Sequence, residues 1–198
     1  RRVLFRSFLY LAHHAVHTPI EPKPELTAHY EAKVGPGLHH QNANYAAMVQ
    51  SLDESVGRVM QRIEERGLSD RTVIIFLSDN GGHIGEFDNA ACTNNAPLRS
   101  GKGSLYEGGV REPLVVWGPG LLEKTAIGST NDQTVISSID VVASLLEIAG
   151  LELPANVQLD GEDLSAALTG VSPQQRTKPL FWVRPPDRPG QEGENQIG

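Results

Sequence analysis

Thr72-Val73-Ile74-Ile75-Phe76-Leu77-Ser78-Asp79-Asn80-Gly81-Gly82 opens the stretch on which the fold turns. Its first six residues are β-branched or apolar over a strand's length, Ser78 follows, and the run stops at Asp79-Asn80-Gly81-Gly82. That pattern predicts a buried strand with two oxygen-bearing side chains at its C-terminal end. After a polar segment comes Asn95-Ala96-Pro97-Leu98-Arg99-Ser100-Gly101-Lys102-Gly103-Ser104-Leu105-Tyr106-Glu107-Gly108-Gly109-Val110-Arg111-Glu112-Pro113, where four glycines frame one lysine. Lys102 therefore stands where backbone can approach a ligand closely. Leu114-Val115-Val116-Trp117 then predicts a second strand, stopped by Gly118-Pro119-Gly120, so that two strands flank a site loop.

Upstream, Tyr45, Met48, Val49, Leu52, Val56, Val59, Met60 and Ile63 fall at helical spacing from Asn44, and Gly67 supplies the stop. Burying those side chains is worth on the order of 15 kcal/mol of transfer free energy before entropy is subtracted, so core packing explains them without a cofactor. The polar segment from Glu21 to Gln41, with Pro22, Pro24 and Pro36, reads as a long surface excursion carrying solvated His39 and His40. Phe8-Leu9-Tyr10-Leu11-Ala12 reads as a strand running into a loop closed by Pro19. His13 and His17 have the spacing of a zinc pair, but only in a helix, and the strand and Pro19 argue against one.

Downstream, Val135 and Ile136 suggest a short strand. Ser137 or Ser138 then caps a helix carrying Ile139, Val142, Leu145, Leu146 and Ala149, ended by Gly150. Asp140 lies in its first turn, where the helix dipole accounts for an acid. Leu164, Ala167 and Leu168 mark a shorter helix between Gly161 and Gly170. Strands alternating with helices predict an α/β sandwich with a mostly parallel sheet and sites at the carboxyl ends of its strands.

The 198 residues suffice for one sizeable core, and the net charge of -7, with scattered basic residues, argues against a general nucleic-acid binder. No apolar run approaches the roughly 20 residues of a membrane span. The single cysteine, Cys92, rules out an internal disulfide framework. Arg1 to Ser7 resembles a translated sequencing adapter and is set aside from fold reasoning, while Arg184 to Gly198, rich in Pro, Gly, Glu and Asn, reads as a loop cut before its next element.

Asp79 and Asn80 offer a carboxylate and an amide oxygen, a donor set that suits calcium or magnesium, although Asp-Asn-Gly is also ordinary turn chemistry. Lys102 between Gly101 and Gly103 suits a sulfate or phosphate, although an exposed lysine in a flexible loop would read the same way. It is not a P-loop, because the upstream glycine is missing and Gly103 stands where Ser or Thr is required.

Together, His17-Thr18-Pro19, Ser78-Asp79-Asn80-Gly81-Gly82 and the segment from Leu98 to Pro113 occur in the order and spacing of the formylglycine-dependent sulfatases. The chain resembles the middle and later part of such a catalytic domain, from Phe8 to about Val183. The resemblance implies a three-layer α/β sandwich of the alkaline phosphatase superfamily and calcium-dependent hydrolysis of a sulfate ester. In such enzymes a cysteine converted to formylglycine is hydrated and one of its hydroxyls attacks sulfur. Asp79 and Asn80 match two metal ligands, and Lys102 and His17 match the lysine and histidine that contact the sulfate group and assist the leaving oxygen. His83 is a candidate for contacting the substrate alcohol. The substrate implied is a sulfated small molecule or glycan, and the location a periplasm or the exterior.

Neither the Cys-x-Pro-Ser-Arg nucleophile motif nor the paired N-terminal aspartates of the family is present, and Thr93-Asn94-Asn95-Ala96 after Cys92 excludes it as the modified residue. The chain by itself is therefore expected to lack activity and to expose apolar surface and an unpaired sheet edge. A phosphatase or phosphodiesterase of the same superfamily and a non-catalytic glycan-binding protein are the rival readings. Asn80, where two-metal members present His, favours the one-calcium arrangement.

Overall fold

The computed structural model describes residues 7–87 and 90–183, and its elements include both helices and strands, in runs rather than in strict alternation. Helices α1 (Pro24–Glu31) and α2 (Ala43–Glu65) precede strand β1 (Ile74–Leu77). A small antiparallel pair follows, β2 (Glu86–Phe87) with β3 (Ala90–Ala91), in the register Glu86 opposite Ala91 and Phe87 opposite Ala90. Then come the short helix α3 (Glu107–Val110), strand β4 (Leu114–Trp117), and helices α4 (Ser138–Ile148) and α5 (Ser165–Thr169). Strands β1 and β4 are hydrogen-bonded neighbours, as expected of two strands flanking a loop. The expected adapter remnant, Arg1 to Ser7, lies outside the described residues except for Ser7, and the expected cut loop, 184–198, lies outside them entirely.

The chain divides into two compact units. The first contains Gly67–Phe76 and Leu114–Phe181, hence most of β1 together with β4, α4 and α5. Its centre is polar. Asp140 is fully buried, and its carboxylate accepts from Ser137 N at 2.7 Å, which closes the first turn of α4, and from Glu162 N at 2.8 Å. Arg176 Nη1 donates to the same carboxylate, and Arg176 Nε lies 3.6 Å from Glu162. Asp140 thus does more than complement a helix dipole, and ties three segments distant in sequence. One turn on, the buried Ser144 Oγ donates to Asp140 O at 2.8 Å and accepts from Leu164 N at 2.9 Å, which fixes the start of α5. Lys178 Nζ donates to the carbonyls of Leu159, Asp160 and Gly161 at 3.2 to 3.3 Å. Helix α4 ends in a Schellman motif: Gly150 at φ 60° donates to Glu147 O at 2.8 Å, and Leu151 N donates to Leu146 O at 2.9 Å.

The second unit contains Leu11–Arg66 and Leu77–Pro113, and with them every candidate site residue. Helix α2 takes its expected place, capped by Asn42 Oδ1 accepting from Tyr45 N at 2.9 Å and left through Gly67 at φ 60°. Its apolar stripe is less covered than the periodicity implies. Ala47 and Met48 are buried, whereas Val49 is 44% exposed, so the full transfer gain is not realised in this unit. Helix α1 packs on α2 and is joined to it by Lys23 Nζ, 3.1 Å from Glu54 Oε2. It occupies part of what the sequence presents as an irregular excursion. The overlooked signal is Pro24 in the first turn followed by Glu25, a common way to begin a helix.

Two expected strands do not form among the described residues. Phe8-Leu9-Tyr10-Leu11-Ala12 and Val135-Ile136 have no ladder partner, and Phe8 and Val135 are 74% and 63% exposed. An apolar run becomes a strand only where a neighbour accepts its hydrogen bonds, and these runs find none here. The described sheets have two strands each, so the larger parallel sheet expected from the sequence is not assembled among these residues.

The Asp140 centre gives a stability test. Replacing one partner of a buried ion pair leaves the other uncompensated, so Asp140→Ala is expected to lower unfolding free energy by about 3 kcal/mol in urea titrations followed by circular dichroism. Glu162 is held below the usual carboxylate range chiefly by the hydroxyl bond from Thr177. A depressed folded value means its contribution is complete above the ordinary glutamate range and is lost as pH falls through the folded value. Thr177→Val should therefore flatten the acid side of the stability profile.

Candidate active site

Five of the site residues read from the sequence lie on loops of the second unit, and missing side chains bring two of those loops together. Gly81 N donates to Gly109 O at 3.1 Å, Gly108 N to Arg99 O at 2.9 Å, and Lys102 N to Gly82 O at 3.1 Å. A Cβ at Gly81 would strike Gly108 O, and one at Gly108 would strike the carbonyls of Arg99 and Ser100. The backbones meet because no side chain stands between them. The loop bearing Asp79 and Asn80 is thus pinned to the loop bearing Lys102.

The carboxylate of Asp79, the carboxamide of Asn80, the ring of His83 and the ammonium of Lys102 have no hydrogen-bond partner among the described residues. Asp79, His83 and Lys102 are exposed. The other cations of the same segment are engaged. Arg99 stacks over the Tyr106 ring at 3.8 Å from its centroid, and Arg111 Nη1 pairs with Glu107 at 3.2 Å. Among Arg99, Lys102 and Arg111, Lys102 alone offers an unpaired charge to an anion.

His17 lies in the same unit, but its contacts are local. Its Nδ1 faces Thr18 O at 2.7 Å, its N donates to His14 O at 2.8 Å, and none of its hydrogen bonds reaches Lys102, Asp79 or Asn80. His13 is turned elsewhere, with Nε2 3.0 Å from Ser55 Oγ on α2. The ring of His83 packs against Gly85, where an added Cβ would meet it at 2.8 Å.

Two residues near the loops escape the sequence reading. Burial, and then the charge of Asp79, push the Glu112 carboxyl above its ordinary range, and its buried Oε1 has no partner. Asn95 binds two carbonyls at once, Gly82 O at 2.9 Å and Ser100 O at 3.1 Å. Cys92 is buried, and burial raises its thiol, which makes it an inert packing residue.

Calcium takes six to eight oxygens. Asp79 and Asn80 supply hard oxygen donors of the right kind, and the nearby Glu112 leaves a buried oxygen without a partner. No group of three or more His, Cys, Asp or Glu among the described residues is arranged to hold an ion, so Asp79 and Asn80 do not make a complete shell by themselves.

The family model for sulfatases matches residues 6–151 of the chain. The chain belongs to the sulfatase family. Among curated relatives, a sulfatase from Formosa agariphila is 40% identical over 189 residues, covering 90% of this chain and 32% of that protein. Arylsulfatase A from Homo sapiens is 36% identical over 182 residues, covering 91% and 32%. This sulfatase chain therefore spans about a third of the length of those relatives. The crystal structure of Ps i-CgsB superposes with a TM-score of 0.68 at 31% identity, over 84% of this chain and 34% of that one. The same protein in complex with k-i-k-neocarrahexaose gives 0.64 at 30%, over 77% and 31%. These matches set the sulfatase reading above the phosphatase and glycan-binding ones, and the likeness supports an alkaline phosphatase-like α/β fold.

The glycine contacts predict opposite effects at two similar substitutions. Gly108→Ala should cost about 1–3 kcal/mol by overpacking backbone against backbone. Gly57→Ala, in α2 with open space around the added methyl, should stabilise by about 0.5–1 kcal/mol. Urea unfolding of both variants checks the pair.

Proposed function

We propose that the parent protein of this chain is a calcium-dependent sulfuric ester hydrolase acting on a sulfated glycan or a sulfated small molecule. The observation that most supports the reading is the bond from Lys102 N to Gly82 O at 3.1 Å, which joins the backbone of Lys102 to the loop that carries Asp79 and Asn80. A cation and a pair of hard oxygen ligands on adjoining loops suit a tetrahedral sulfate ester developing charge on its oxygens. Bound calcium would polarise the sulfate group, with Asp79 and Asn80 among its ligands. Lys102 would bind a sulfate oxygen and offset its charge, while His17 or Lys102 would donate the proton to the departing alcohol oxygen. His83, on the exposed loop after Gly82, would contact that alcohol.

The nucleophile in this reading is a formylglycine made from a cysteine outside this chain, since Cys92 is buried and not in a modification motif. The chain alone would then not turn over substrate. A glycan is favoured because Ps i-CgsB, similar to this chain at a TM-score of 0.64, has been solved with an oligosaccharide. A periplasmic or exterior location goes with the same reading.

In the full-length parent, Lys102→Ala is expected to lower kcat/KM on an aryl sulfate at least about 100-fold, the scale of one lost transition-state stabiliser. His17→Ala should be comparably harmful and should change the dependence on leaving-group pKa if His17 is the acid. Asp79→Ala should weaken calcium binding measured by titration calorimetry. Near-normal rates in both Lys102→Ala and His17→Ala would move the site elsewhere, and sustained hydrolysis by this purified chain would show that it carries its own nucleophile.

A further inference from the structure

Asn95 occupies the space between the two glycine loops. Its Nδ2 donates one hydrogen to Gly82 O at 2.9 Å and the other to Ser100 O at 3.1 Å, and Leu98 N donates to its backbone carbonyl at 2.9 Å. A Cβ at Gly82 would meet Asn95 Oδ1 at 2.7 Å, and one at Gly101 would meet Nδ2 at the same distance. The carboxamide is therefore held between two glycines, in a slot that neither an extra methyl on the loops nor a longer amide would leave intact. The carbonyl of Gly82 accepts from Lys102 N as well, so one oxygen gathers both the clasp and the lysine's own backbone.

The second bond bears on strain. Ser100 has φ 67°, a left-handed conformation that is costly for a residue other than glycine and persists only where surroundings hold it. Two contacts flank it: Asn95 on Ser100 O, and Gly108 N on the preceding carbonyl of Arg99. Ser100 stands two residues before Lys102, so its conformation sets the direction in which the lysine leaves the loop.

We propose that Asn95 is a positioning residue for the sulfate subsite, acting through Lys102 and resting on the reading of Lys102 as the sulfate-binding cation. Its two donors fix the Lys102 loop against the Asp79–Gly82 loop. An aspartate of the same shape presents only acceptors to two carbonyl oxygens, and alanine leaves both carbonyls without the clasp. Misplacement of a binding group by about 1 Å costs up to about 100-fold in rate.

The test uses the full-length activated parent with Asn95→Asp, Asn95→Ala, Lys102→Ala and the double variant Asn95→Ala/Lys102→Ala. We expect kcat/KM on an aryl sulfate to fall at least about tenfold in each Asn95 variant, with inhibition by inorganic sulfate weakened by a comparable factor. Because Asn95 acts through Lys102, adding Asn95→Ala to Lys102→Ala should cost no more than about twofold further, the signature of coupled residues. Assays run below each variant's melting temperature, so lowered stability alone does not mimic the effect. Wild-type kcat/KM in a folded Asn95→Ala enzyme, unchanged sulfate inhibition, or a fully multiplicative loss in the double variant would overturn the proposal. Normal rates in Lys102→Ala would instead sink the reading of Lys102 on which it rests.

Discussion

Close approach of backbone to backbone, possible only without side chains, is the constraint on which the candidate site depends. Gly81, Gly82, Gly101, Gly108 and Gly109 each lie against a neighbouring carbonyl or against the Asn95 side chain, with no room for a methyl group. Peptide N–H groups and carbonyls can therefore bond across the loops directly, as Gly81 does to Gly109 and Lys102 does to Gly82. Rigid loops of this kind hold a charged side chain in place without using the side chain's own hydrogen-bonding capacity. That leaves the Lys102 ammonium and the Asp79 carboxylate available to a ligand, whereas Arg99 and Arg111 are spent on Tyr106 and Glu107.

The other unit is organised differently, around a buried charge. Asp140 joins the first turn of α4 to the Glu162 segment and to Arg176, and Ser144 carries the same column of bonds to α5. A buried carboxylate of this kind requires all its partners, which makes it a poor source of net stability and a strong determinant of which segments meet. The family match covers residues 6–151, so it reaches Asp140 but stops short of Glu162 and Arg176.

Local chemistry was legible in the sequence, and long-range partnership was not. The α2 stripe, the strands β1 and β4, the capping serine at the start of α4 and the glycine stop after it each follow from residues within one turn or one strand. Asp79, Asn80 and Lys102 stood out because strand ends and glycine frames are local patterns. Asn95 did not, since an asparagine in a loop carries no sign of which carbonyls it will bind, and Gly82 is 13 residues away. Asp140 looked like a simple dipole partner because Glu162 and Arg176 lie 22 and 36 residues on. The run Phe8-Leu9-Tyr10-Leu11-Ala12 shows the opposite error: its apolar pattern is real, but a strand exists only with a ladder partner, and none is present among the described residues.

The central claim, that glycine-braced loops present Lys102 and the Asp79-Asn80 pair to one sulfate group, is tested most directly by a crystal structure of the full-length parent with calcium and inorganic sulfate, using anomalous scattering to identify both ions. The account predicts calcium on the oxygens of Asp79 and Asn80, with sulfate within hydrogen-bond distance of Lys102 Nζ and bridging to the metal. Sulfate bound away from Lys102, or calcium bound without Asp79, would contradict it.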